Sequence, residues 1–158
     1  MRRLVLLVLT AFFLQACEQK TTSGGVQKDI RPTKEYAMLI VESESCIYCK
    51  QLHKDLQKEE VRKVLSGVDV FSILYESNAK VTYRLKGKEG NTTEEELARS
   101  LGVSSFPQIF FYDREGNILL HIPGYQPPKT LLCTINFIRQ EQYKNQNYMD
   151  YLKQNQCT

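Results

Sequence analysis

The chain has 158 residues, 42% of them hydrophobic and 25% charged, which suits one globular domain and leaves little room for two. Lys and Arg number 21 against 18 Asp and Glu, and the excess is neither large nor clustered, so no nucleic-acid partner is expected. Five cysteines are an odd number, so at least one does something other than pair within the chain.

Arg2 and Arg3 precede an apolar run over residues 4–14, broken only by Thr10. That is too short to cross a bilayer as a helix and has the length of a signal-peptide core. The run ends Leu14-Gln15-Ala16-Cys17, which resembles the lipobox of bacterial lipoprotein signals. The resemblance implies cleavage before Cys17, lipidation of Cys17, and a periplasmic (extracytoplasmic) protein held to a membrane by its lipid. A cleaved secretory signal that merely contains a Cys is the plainer alternative. Loss of residues 1–16 as signal peptide removes two Arg and takes the charge from +3 to +1. Residues 17–34 are polar, contain Gly24-Gly25 and show no apolar periodicity, so they read as a lipidated flexible tether. Residues 35–158 then form the domain with a C-terminal tail. Export places the remaining cysteines in an oxidising compartment, where a free thiol pair needs a dedicated electron source.

Residues 36–41 are a continuous apolar run, consistent with a buried parallel strand. Ser45 is a candidate N-cap for the helix that follows, in which Cys49, Leu52 and Leu56 recur at helical spacing and Val61, Val64 and Leu65 resume the stripe. Gly67 closes that helix, and residues 68–75 form a second strand. Residues 81–85 alternate as a short accessory strand, and residues 87–91 read as a loop. Thr92 or Thr93, followed by three Glu, starts a second helix that stops at Leu101-Gly102. Residues 108–112 and 117–122 flank the turn Asp113-Arg114-Glu115-Gly116 as a β-hairpin. Pro127-Pro128 introduces a last helix with Leu131, Ile135 and Ile138 on one face, followed by a Tyr/Asn/Gln-rich tail. Tyr36, Tyr75, Phe110 and Phe111 are most simply core. This order predicts an α/β sandwich with helices on both sheet faces.

Cys46-Ile47-Tyr48-Cys49 sits where the first strand gives way to the first helix. A Cys at a helix N-terminus faces unpaired N–H groups and the positive end of the dipole, which favours its thiolate and makes Cys46 the attacking sulfur. Cys49, almost one turn later on the same face, is the resolving thiol. A zinc site lacks a second ligand pair, since Cys133 and Cys157 are isolated, and haem attachment is excluded by Lys50 after Cys49. No metal and no cofactor beyond the redox-active Cys46–Cys49 disulfide is expected. An inert staple is a weak use of so short a loop.

With Cys46-Ile47-Tyr48-Cys49 after a buried strand and Phe106-Pro107 just before another, residues 36–142 resemble the thioredoxin superfamily. The resemblance implies the thioredoxin fold, a central mixed sheet flanked by helices on both faces. It also implies a cis Pro107 flanking the disulfide, with Phe106, Ile47 and Tyr48 meeting a bound substrate. More narrowly, the chain is similar to the SoxW-like periplasmic thioredoxins. The residues that match are Glu42, the run Cys46-x-Tyr48-Cys49-Lys50-x-x-His53, the insertion over residues 81–93, Gly124-Tyr125 and the tail Tyr148-Met149-Asp150-Tyr151-Leu152. This implies reduction of disulfide-containing protein substrates outside the cytoplasm, with electrons from a membrane thiol transporter of the DsbD or CcdA kind. Ile47 departs from the usual Pro after the first Cys, a position that bears on the redox potential.

Glu42 is a candidate proton acceptor for Cys49, against a bland role as a strand-end charge, and His53 a candidate thiolate or partner contact, against a surface role. Cys133 and Cys157 either pair as a structural disulfide or leave Cys157 free and Cys133 a small buried hydrophobe; spacing does not decide. The expectation is a monomeric, lipid-anchored thiol-disulfide oxidoreductase. A thiol oxidant or isomerase and a non-catalytic binding lipoprotein of the same fold are the alternatives.

Overall fold

The computed structural model describes residues 27–157. Cys17 and the signal-like run lie outside the described residues. Strands β1 (Lys28–Asp29) and β2 (Tyr36–Glu42) lead to helices α1 (Ile47–Leu56) and α2 (Glu59–Val64). Strands β3 (Val68–Leu74), β4 (Lys80–Leu85) and β5 (Lys88–Thr93) precede α3 (Glu94–Ser100), the hairpin β6 (Gln108–Asp113) and β7 (Ile118–Pro123), and helices α4 (Pro128–Arg139) and α5 (Tyr148–Gln154).

Residues 36–41 are all buried, and strand geometry sends them alternately to two faces. Tyr36, Met38 and Ile40 join one core cluster with Leu52, Val61 and Leu131, under α1, α2, α4 and α5. Ala37, Leu39 and Val41 join a second with Leu97 and Tyr112, under α3. A strand buried on both sides has to be interior, and β2 is: the main sheet runs β3-β2-β6-β7, with β3 parallel to β2 and β6 antiparallel. The result is an α/β thioredoxin fold.

Several local expectations are corrected. The apolar stripe of the first helix changes phase between Leu56 and Val61, and the chain answers with two helices, breaking at Gln57 and at an extended Lys58. The N-cap is Cys46 and not Ser45: the Cys46 Sγ accepts the Cys49 backbone N–H at 3.0 Å, and Ser45 lies in the turn before it. Residues 88–93 are a strand and not a loop, because a tight turn with positive φ at both Lys86 and Gly87 folds β5 back on β4. Thr93 then caps α3 in a reciprocal capping box with Glu96.

The tether expected over residues 17–34 does not extend through residues 28–34, which belong to the fold. β1 pairs in parallel with β4, Ile30 is fully covered, the Tyr112 hydroxyl donates to the Ile30 carbonyl at 2.7 Å, and the Asp69 carboxylate accepts from the Thr33 and Lys34 backbone. Polar Lys28 and Asp29 gave no strand signal because their pairing is supplied by the insertion. At the other end the polar tail forms α5, which buries Tyr151 and Leu152 against α4.

Candidate active site

The register of the main sheet gathers the site. Val41 at the end of β2 pairs with Gln108 at the start of β6, and Gln108 pairs with Pro123 at the end of β7. The loop carrying Cys46, the segment Phe106-Pro107 and the loop Gly124-Tyr125 therefore share one end of the sheet. They are tied there: the Gly124 N–H donates to the Pro107 carbonyl at 2.8 Å, the Tyr75 N–H donates to the Glu42 carbonyl at 2.8 Å, and the Ser43 hydroxyl donates to Glu76. The Phe106–Pro107 peptide is cis, and the Phe106 ring meets Tyr75 edge-on.

At the first turn of α1, Cys46 and Cys49 are joined in a disulfide. Cys49 is 2% exposed, while Cys46 is only partly covered. The outer sulfur is thus the one a partner can reach, and it already accepts a backbone N–H at the positive end of a helix. On reduction the same N–H and dipole favour a Cys46 thiolate. Between the two cysteines, Ile47 is 70% and Tyr48 57% exposed, an apolar surface beside the reactive sulfur.

The two tuning candidates meet each other. His53 Nε2 and Glu42 Oε2 are 2.6 Å apart, joining the end of β2 to the middle of α1 on the Cys49 side of the sheet. Cys133 and Cys157 lie far along the chain from this end and form a second disulfide that binds the tail to α4. Among the described residues, no group of three or more His, Cys, Asp or Glu is arranged to hold a metal ion.

Asp55, which the sequence did not single out, and Tyr125, named there only in the Gly124-Tyr125 match, complete the site. Asp55 has no exposed surface, yet its carboxylate accepts from the Tyr125 hydroxyl at 2.7 Å and pairs with Lys58 at 2.9 Å. Burial pushes the Asp55 carboxyl up, but the hydrogen bonds from Lys58, Tyr125 and Gln51 outweigh it and hold it below the ordinary carboxylate range. The same bond to Asp55 pushes the Tyr125 hydroxyl up to about 12. The Tyr125 ring lies stacked against Tyr48, with centroids 5.9 Å apart. A signal was present: Asp55 is an acid on the buried stripe of α1, where an unpaired charge would be costly.

The thioredoxin-like domain family matches residues 26–139. The chain belongs to that family. The match begins before β1, in keeping with a domain that starts ahead of residue 35, and it ends before α5. A thioredoxin-fold protein from Helicobacter pylori is 27% identical with a TM-score of 0.66, over 80% of this chain and 83% of that one. A thioredoxin from Thermus thermophilus shares the fold at 22% identity and a TM-score of 0.51, over 66% of this chain and 74% of that one. No curated protein matches the sequence. A thioredoxin-like domain with paired Cys46 and Cys49 at a helix N-terminus points to thiol-disulfide redox activity, that of a thiol oxidoreductase.

Proposed function

We propose that this thioredoxin-like protein is an extracytoplasmic reductase of protein disulfides, a SoxW-like periplasmic thioredoxin lipidated at Cys17 and re-reduced by a membrane thiol transporter of the DsbD or CcdA kind. The observation that carries the reading is the Cys46 sulfur at the N-cap of α1, accepting the Cys49 N–H at 3.0 Å, with Cys49 buried behind it. The Cys133–Cys157 disulfide supports an oxidising compartment, where such a staple persists.

In the reducing direction the Cys46 thiolate attacks one sulfur of the substrate disulfide. The substrate S–S bond breaks, a Cys46–substrate mixed disulfide forms, and the other substrate sulfur leaves and takes a proton. The Cys49 thiolate then attacks the Cys46 sulfur, closes the Cys46–Cys49 disulfide and releases the second substrate thiol. Two electrons pass to the substrate, and a dithiol donor restores the pair. Ile47 and Tyr48, between the cysteines, and Phe106 and Pro107, at the same end of the sheet, are the residues we assign to substrate contact.

Insulin reduction with dithiothreitol as electron source tests the chemistry. Cys46→Ser is expected to bring the rate to background, and Cys49→Ser to accumulate a mixed disulfide visible by mass spectrometry. Full activity in Cys46→Ser would overturn the catalytic reading and favour a binding lipoprotein. Incorporation of labelled palmitate that survives Cys17→Ser would overturn the anchor.

A further inference from the structure

Among the described residues the large hydrophobics left exposed are Ile47, Tyr48, Val70 and Met149, and the first two lie between the active-site cysteines. Tyr48 does not stand alone, because its ring stacks on Tyr125 at 30° between planes. Tyr125 is fixed at two points. Its hydroxyl donates to Asp55, which is itself held by Lys58 and Gln51, and the residue before it, Gly124, donates to the Pro107 carbonyl. A phenol tied to a buried carboxylate has lost its rotamer freedom before any ligand arrives, so its face is preorganised. The charge behind it is fully covered and presents nothing to a ligand. Between the two cysteines, what faces outward is the aliphatic Ile47 and the aromatic Tyr48.

We propose that Tyr125 is a specificity-determining residue: with Tyr48 it forms an aromatic shelf beside Cys46 that takes an apolar side chain next to the substrate cysteine, and Asp55 is the positioning residue that holds the shelf. The proposal rests on the oxidoreductase reading above and adds the class of disulfide selected. A protein disulfide flanked by Leu, Met or an aromatic residue is preferred over one flanked by Asp or Glu, which would have to lose its hydration against the two rings, the Lys58 ammonium being already paired with Asp55.

The test uses the pre-reduced protein in single turnovers with two glutathionylated peptides that are identical except for Leu or Asp beside the cysteine. Each turnover oxidises the Cys46/Cys49 dithiol to the disulfide and releases one peptide thiol and one glutathione. The parent chain is expected to half-saturate with the Leu peptide at roughly tenfold lower concentration than with the Asp peptide. Tyr125→Ala is expected to bring the two within about twofold, and Tyr125→Phe, which keeps the ring but frees it from Asp55, to lose about threefold of the preference. The ratio is internal, so a partly unfolded variant that lowers both rates leaves it unmoved. An unchanged preference in Tyr125→Ala overturns the shelf, and a parent-like preference in Tyr125→Phe overturns the positioning role of Asp55. Absence of any glutathione release by the parent would contradict the oxidoreductase reading itself, a result separable from loss of preference alone.

Discussion

The Glu42 carboxylate and the His53 imidazole lie 2.6 Å apart, eleven residues distant in sequence, and join the last residue of β2 to the helix that Cys46 caps. His53 is about half exposed and Glu42 mostly covered, so the pair is a modest fastener and not a buried ion pair. A double-mutant cycle on Glu42→Gln and His53→Gln, read by urea unfolding, is expected to give a coupling of no more than about 1 kcal/mol. A coupling of several kcal/mol would contradict this.

The Cys133–Cys157 disulfide closes a loop with a sequence separation of 24, and Cys157 is fully buried against α4. Cys133→Ser with Cys157→Ser is expected to lower stability by about 3 kcal/mol while leaving insulin reduction intact, because the staple joins α4 to the tail after α5 and neither element carries Cys46 or Phe106-Pro107. Loss of reduction at a temperature where the variant is still folded would give this disulfide a redox role.

Ile30 sets the practical start of the domain. Its side chain is enclosed in the α3-side core, so Ile30→Ala is expected to cost about 2–4 kcal/mol. A chain beginning at residue 35 should melt well below one beginning at residue 27. Equal melting temperatures would restore residues 28–34 to a tether.

Asp69 gives the fold an acid limit. Burial pushes its carboxyl up, but hydrogen bonds from the Lys34 and Thr33 backbone N–H groups and the Thr33 hydroxyl outweigh that and hold it low. A carboxyl lowered in the folded state stabilises the protein fully above its unfolded value of about 4, and this contribution is lost as pH falls through the lower folded value. Asp69→Asn should therefore destabilise at pH 7 and flatten the decline of stability in acid. A variant with the parent's acid profile would contradict that assignment.

Local chemistry made much of this fold legible. The unbroken run at residues 36–41 announced a buried parallel strand, Thr92 or Thr93 before three Glu announced a helix start, and Pro127-Pro128 announced α4. The polar strands β1 and β5 were not legible, because they carry no apolar alternation and are held by pairing to β4. The Cys46 and Cys49 motif could be read directly, but the Tyr125 to Asp55 bond spans 70 residues and exists only once β7 returns to the end of the sheet that bears α1. Glu42 and His53 were each visible as candidates for the thiols, and their pairing with one another was not.

The reduction potential of the Cys46/Cys49 pair decides whether the protein works as a reductase. It is measured by equilibrating the protein with dithiothreitol or glutathione, with the Cys133–Cys157 pair followed separately by thiol-trapping mass spectrometry. A value near that of thioredoxin, about −270 mV, is expected, as a reductase requires. A value of about −120 to −180 mV would contradict it in favour of an oxidant or isomerase, and one well below about −300 mV in favour of an inert staple.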